Sequence, residues 1–159
     1  MNGRPRAKLA DLLQLFNAEM SPRRRPVLLV SDDDDDARAR IREALEDAGY
    51  VVIEAASGRQ ALDFLITRPD ERIGLLILDL QMPMIDSWHL LDLLRCYLRL
   101  ARIPVIVVTA QEVQLVRLRH PNVIGCFREP FELQALVAKV AAGLAALPVS
   151  APRIRDRVG

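Results

Sequence analysis

The sequence predicts an α/β fold, a doubly wound five-stranded parallel sheet with helices on both faces and an extra helix at the N-terminus. Two observations carry this. From residue 26 onward, apolar strand-length runs alternate five times with helix-like stretches. The third and fourth runs are the most continuously apolar, as central strands buried on both faces should be. The length agrees, because 159 residues suffice for about one core and would cramp two.

Ahead of this body, Leu9, Leu12, Leu13, Phe16 and Met20 form an amphipathic stripe, which Ser21-Pro22 and three arginines separate from the first strand. It predicts a helix whose apolar face packs on its own domain or contacts a second copy or partner. The strands are predicted at residues 27–31, 51–55, 74–79, 103–109 and 123–127. In the first helix Ala37, Ile41, Ala44, Leu45 and Ala48 share one face, and Gly49 is placed to end it. Ser57 is placed to cap the second, with Ala61, Leu62 and Leu65 inward, and Asp86 the third, with Leu90, Leu91 and Leu94. A short fourth helix is expected over residues 111–119, closed by His120-Pro121. The last, residues 131–147, repeats Leu133, Leu136, Val137, Val140 and Leu144 at helical spacing. The expected division is 1–25 helix and basic linker, 26–147 domain, 148–159 basic tail.

Composition excludes several classes. The longest uncharged apolar stretch, Val140 to Pro152, contains two prolines and falls well short of the roughly 20 residues that span a bilayer. Asp11 and Glu19 interrupt any apolar signal core, so a cytoplasmic protein without membrane contact is expected. Only two cysteines are present, Cys96 and Cys126, which does not support a disulfide scaffold or zinc cluster; Cys96 is expected as a small buried hydrophobe. Net charge is +1, but it divides into +4 over residues 1–25, −5 over the body and +2 over residues 148–159. An acidic body argues against a nucleic-acid-binding core. His89 beside Trp88 reads as a surface residue, and Phe64, Phe127 and Phe131 as core.

In an open parallel sheet, functional groups gather at the carboxyl ends of central strands. The first strand is followed by five aspartates, Asp32 to Asp36; the third ends in Asp79, the fourth in Thr109-Ala110, and the fifth runs into Arg128-Glu129-Pro130-Phe131. Asp34 to Asp36 fit helix caps favoured by the helix dipole. Asp32, Asp33 and Asp79 crowd together, and keeping them ionised requires a cation; a hard, oxygen-seeking ion such as Mg²⁺ suits them. Asp79 is then placed as a nucleophile toward phosphorus, with the Thr109 hydroxyl near the transferred oxygens. A phosphatase of another α/β class would want a second aspartate two residues after the nucleophile, where Gln81 stands.

Together these residues resemble the receiver domain of two-component response regulators over about residues 26–147. Val30-Ser-Asp-Asp-Asp-Asp-Asp-Ala-Arg38 resembles the family's acidic opening, Leu78-Asp-Leu-Gln-Met-Pro83 its phosphoacceptor segment, and Pro104-Val-Ile-Val-Val-Thr-Ala110 the segment bearing its hydroxyl. The resemblance implies a flavodoxin-like strand order 2-1-3-4-5, Asp79 as phosphoacceptor, and Mg²⁺ held by Asp33, Asp79 and the Gln81 carbonyl with Asp32 linked through water. It also implies phosphoryl contacts from Thr109 and the Gln81 and Ala110 amides. The implied partners are a histidine kinase or phosphotransfer protein and a downstream protein target, with a homodimer through the N-terminal helix as a further possibility. The implied function is a stand-alone receiver with no enzymatic or DNA-binding output.

Three departures qualify the resemblance. Glu129 replaces the lysine before the proline, Pro130, whose preceding bond is normally cis. Cys126 stands where an aromatic ring usually reports phosphorylation, and Ser87 where a glycine normally follows the acid of the next loop. Glu129 and Cys126 motivate the alternative of an atypical receiver, a phosphorylation-independent protein-interaction module.

Overall fold

Strand β1 (Val27–Ser31) lies between β2 (Val51–Ala55) and β3 (Ile73–Asp79), and the sheet continues through β4 (Val105–Thr109) to β5 (Val123–Arg128). All neighbours are parallel, giving the expected order β2-β1-β3-β4-β5. This is a computed structural model, and it describes residues 27–68, 71–82, 87–110 and 120–146. The N-terminal helix, the Asp86 cap, the helix expected over 111–119 and the basic C-terminal tail lie outside the described residues.

Helices α1 (Asp35–Asp47), α2 (Gly58–Thr67), α3 (Ser87–Cys96) and α4 (Leu133–Ala145) pack on the sheet, with a 3-10 turn at Leu100–Arg102 before β4. Asp34 caps α1 by accepting from the Asp36 and Ala37 N–H groups, and Ser57 caps α2 by accepting from Gln60. Gly49, at φ +92°, closes α1 in a backbone conformation that costs glycine little.

Several ends differ from expectation. The fourth strand begins at Val105 rather than Ile103, because Pro104 has no N–H for a ladder; its carbonyl accepts from Leu76 at 3.0 Å. The third starts one residue earlier, and the fifth extends one residue further, where Arg128 pairs in register with Thr109. The last helix starts at Leu133, since Glu132 holds an extended backbone at its cap.

Alternation along the strands divides the core between the two faces. Leu29, Leu76, Leu78, Val105 and Val107 meet Ala61 and Leu65 of α2 and Leu90, Leu91 and Leu94 of α3. Leu28, Val30, Leu75, Ile77, Ile106 and Val108 meet Ile41 and Leu45 of α1 and Leu136 and Val140 of α4. Leu76 is fully buried in the middle strand. Leu76→Ala is therefore expected to cost about 2–5 kcal/mol, read as a lower urea midpoint at unchanged slope.

Cys96 corrects the expectation of burial: it is exposed. It lies two residues beyond Leu94, about 200° around the helix from that core contact. The chain beyond it also leaves the core, Leu98 being 90% exposed. Cys126 is exposed too, on the outermost strand. Phe64, Phe127 and Phe131 are only partly buried against the core, with the Phe127 and Phe131 rings 5.5 Å apart.

Candidate functional site

The register carries four strand ends to one edge. Ser31 of β1 pairs with Leu78 of β3, so the next residues, Asp32 and Asp79, emerge side by side. Asp79 pairs with Val108, which sets Thr109 beyond it on β4, and the Glu129 N–H donates to the Thr109 carbonyl at 2.9 Å. A buried contact from the Ser31 hydroxyl to the Met82 sulfur, 3.4 Å, ties the chain after β3 back to β1.

The acids are fixed by their own turns. The Asp34 N–H donates to Asp32 Oδ1 and the Gln81 N–H to Asp79 Oδ1, each at 2.9 Å, an arrangement that sets the rotation of both carboxylates. Asp32 is 3% exposed and Thr109 2%, whereas Asp33 is exposed. One carboxylate oxygen from each of Asp32, Asp33 and Asp79 lies within 4.8 Å of the others, close enough to share a single cation. Burial pushes the Asp79 carboxyl up to about 6, and Asp32, Asp33 and Glu129 push the same way against the Gln81 N–H. Asp32 is raised likewise, by burial first and then by Glu129, Asp33 and Asp34, against the Asp34 N–H. Crowded carboxylate oxygens, those of Asp32 and Asp79 disfavoured in their ionised forms without a cation, fit Mg²⁺ by charge and hardness.

The acids open onto a cleft of about 760 Å³, whose lining also includes Arg40, Gln81, Glu129, Pro130 and Phe131. The Glu129–Pro130 peptide bond is cis. Glu129 and Ala110 are exposed. Lys139 lies elsewhere: its side chain covers Gly125, where an added Cβ would meet its Cε at 2.8 Å. It lines a separate cavity of about 340 Å³ with Arg102, Pro104 and Asn122, at the amino ends of β4 and β5. Lys8 falls outside the described residues.

Sequence reasoning missed two arginines. Arg38 reaches Glu54 at 3.1 Å, the Asp32 carbonyl at 2.8 Å and Asp35 at 2.5 Å, thereby bracing the segment that carries the acids. Its spacing of three from Asp35 was the available signal. Arg38→Ala is expected to cost about 1–2 kcal/mol, seen as a lower melting temperature, because Glu54 keeps Arg42 at 3.0 Å while the Asp32 carbonyl loses this donor. Arg40 is the other.

Comparison with known proteins follows the same lines. A family model described as the response regulator receiver domain matches residues 27–141. The transcriptional regulatory protein CpxR of Escherichia coli K12 is 35% identical over 118 residues, covering 72% of this chain and 47% of CpxR. The probable transcriptional regulator ycf29 of Porphyra purpurea is 33% identical over 116 residues, covering 71% and 54%. The chain thus spans about half the length of these curated relatives. Among solved structures, the receiver domain of the Francisella response regulator 1452 superposes with TM-score 0.66 at 27% identity, covering 76% of this chain and 97% of that one. A response regulator receiver protein from Pseudomonas putida gives 0.68 at 28%, covering 74% and 97%.

Proposed function

The chain belongs to the response regulator receiver family, and from that premise we propose that it accepts a phosphoryl group on Asp79 and signals through protein contacts. The observation that carries this reading is the convergence of Asp32, Asp33 and Asp79 within one cation's reach, with buried Thr109 on the adjoining strand.

The chemistry follows from the positions. With its Oδ1 held by the Gln81 N–H, Asp79 presents its carboxylate to a phosphorus atom at the mouth of the cleft. An Asp79 oxygen forms the new P–O bond as the P–N bond of a phosphohistidine donor breaks, and the imidazole keeps the electron pair and takes a proton. The Thr109 hydroxyl and the Ala110 amide then hold phosphoryl oxygens. Asp33, Asp79 and the Gln81 carbonyl are the residues that would hold Mg²⁺, with Asp32 acting through water. The ion supplies the positive charge that lets these acids remain ionised beside a phosphoryl group.

The partners this implies are a histidine kinase or phosphotransfer protein, then a protein target, in the cytoplasm. No helix among the described residues is long and apolar enough to cross a membrane. Contact through the helix expected at residues 9–20, including a homodimer, belongs to the same proposal. Deleting residues 1–25 should then change oligomer size or partner capture. That the receiver stands alone is checked by the size of the denatured polypeptide on an immunoblot of cell extract: about 18 kDa supports it, and a band near twice that overturns it.

Intact-mass measurement with Mg²⁺ and a small phosphodonor tests the central claim. An adduct in the wild type that maps to Asp79 supports it. Glu129 in the cleft and exposed Cys126 on β5 favour a second reading, a phosphorylation-independent interaction module. No adduct in the wild type, with one in Glu129→Lys, would select that second reading.

A further inference from the structure

Helix α1 carries three arginines spaced two apart, Arg38, Arg40 and Arg42. Residues four apart share a helix face, while the one between them lies about 200° from each. Arg38 and Arg42 turn toward β2, where they grip the two oxygens of Glu54 at 3.1 and 3.0 Å. Arg38 also holds Asp35, and Arg42 lies within ion-pair distance of Glu43 and Glu46. Both are committed to the structure.

Arg40 faces the other way. It makes no ion pair or hydrogen bond with a described residue, and it lines the acidic cleft beside Ala37 and Ile41, across from Glu129, Pro130 and Phe131. Among the described residues no other basic side chain lines that cleft, which holds the carboxylates of Asp32, Asp33, Asp34, Asp79 and Glu129. Side chains on a helix lean toward its N-terminus, so Arg40 projects back toward the acids. It stands five residues beyond Asp35, the first residue of α1, an axial rise of about 7.5 Å.

We propose that Arg40 is the phosphoryl-binding cation of this cleft, reaching in from α1 to hold an oxygen of the group on Asp79. The proposal rests on the reading of Asp79 as acceptor. A phosphoryl group of roughly two negative charges, set among carboxylates, needs an added cation at its outer oxygens. A guanidinium answers that need well, because its planar fork matches phosphate oxygens and it stays charged at any working pH. With no hydrogen-bond or ion-pair partner among the described residues, it is available to the anion.

Beryllofluoride, which mimics a phosphoryl group on a carboxylate, separates this proposal from the reading it rests on. Binding would be followed by ¹⁹F NMR in the presence of Mg²⁺ for wild type, Arg40→Ala, Arg40→Lys and Asp79→Asn, with Mg²⁺ alone titrated by calorimetry. The expected result is at least tenfold weaker anion binding in Arg40→Ala, partial recovery in Arg40→Lys, and Mg²⁺ binding that is unchanged or tighter because a like charge has left the cleft. Anion binding in Arg40→Ala within twofold of wild type would overturn the role of Arg40 alone. So would an equal loss of anion and Mg²⁺, which marks a cleft that has merely collapsed. Failure of the wild type to bind the anion would overturn the acceptor reading and this proposal together.

Discussion

Asp79→Asn is expected to abolish the phosphate adduct and, in the metal-free protein, to raise stability at neutral pH. The first effect follows because an amide oxygen is a far weaker nucleophile than a carboxylate and the substitution removes the attacking group. The second follows from the displaced titration. Asp79 protonates near 3.8 in the unfolded chain and near 6 when folded. Between those values the folded state holds the extra proton, so stability falls as pH rises from about 4 to 6, and the full penalty is present at pH 7. About two units correspond to at most about 3 kcal/mol, and sharing the strain with Asp32 leaves about 1–3 kcal/mol. Asparagine has no charge to bury and keeps an oxygen for the Gln81 N–H. Thermal unfolding in chelator should therefore show Asp79→Asn several degrees above wild type at pH 7.5 and level with it near pH 4. Equal melting temperatures at pH 7.5 would mean that the carboxylates are not in conflict. Adding Mg²⁺ should raise the wild type more than the variant.

Glu129→Lys should accelerate phosphorylation of Asp79 by about 10- to 100-fold. The change moves the cleft by two charge units at a position that raises both Asp32 and Asp79. The new ammonium would lower the Asp79 carboxyl from about 6 toward the ordinary range and oppose the charge of the incoming group. The backbone bond from residue 129 to the Thr109 carbonyl is retained, so the swap tests charge rather than fold. Glu129→Gln, which removes repulsion without adding attraction, should fall between the two. Mg²⁺ should bind several-fold more weakly to Glu129→Lys, since a fixed cation competes for the same oxygens. The time course of adduct formation by intact mass, with the donor in excess, measures the rate. An unchanged rate in both variants would show that Glu129 does not limit transfer.

The fold was legible because its signal is repetitive. A run such as Leu75 to Leu78 has both faces buried and is apolar throughout, and the Ser57 and Gly49 signals at helix ends act over a few residues. Strand limits were less legible, because Pro104 takes part through its carbonyl but not through a nitrogen. The acids of the site could be placed since each stands at or just beyond a strand's carboxyl end, and register does the rest. What the sequence concealed lies in side-chain direction. Cys96 sits in an apolar helix but on its outer face, Cys126 lies on an edge strand, and Arg38 and Arg40 differ in role through a rotation of 200° that composition does not reveal.

The interior place of β1, between β2 and β3, governs how the molecule is assembled. Its neighbour β3 is not the next strand in the chain, and contacts such as Ser31 to Met82 join residues 51 apart. The strand translated first among those described therefore waits for the third before its second edge is filled, and β5 can close only after β4 is in place. Pairing of this non-local kind is slow, because the entropy of loop closure is lost before the contacts form. The order also protects the growing chain: Asp32 and Asp79 are apart until β1 and β3 zip together, and Glu129 joins them only with the last strand. The conflict among the acids is thus assembled in two steps with the sheet, the first where β1 meets β3 and the second where β5 brings Glu129 to the same edge.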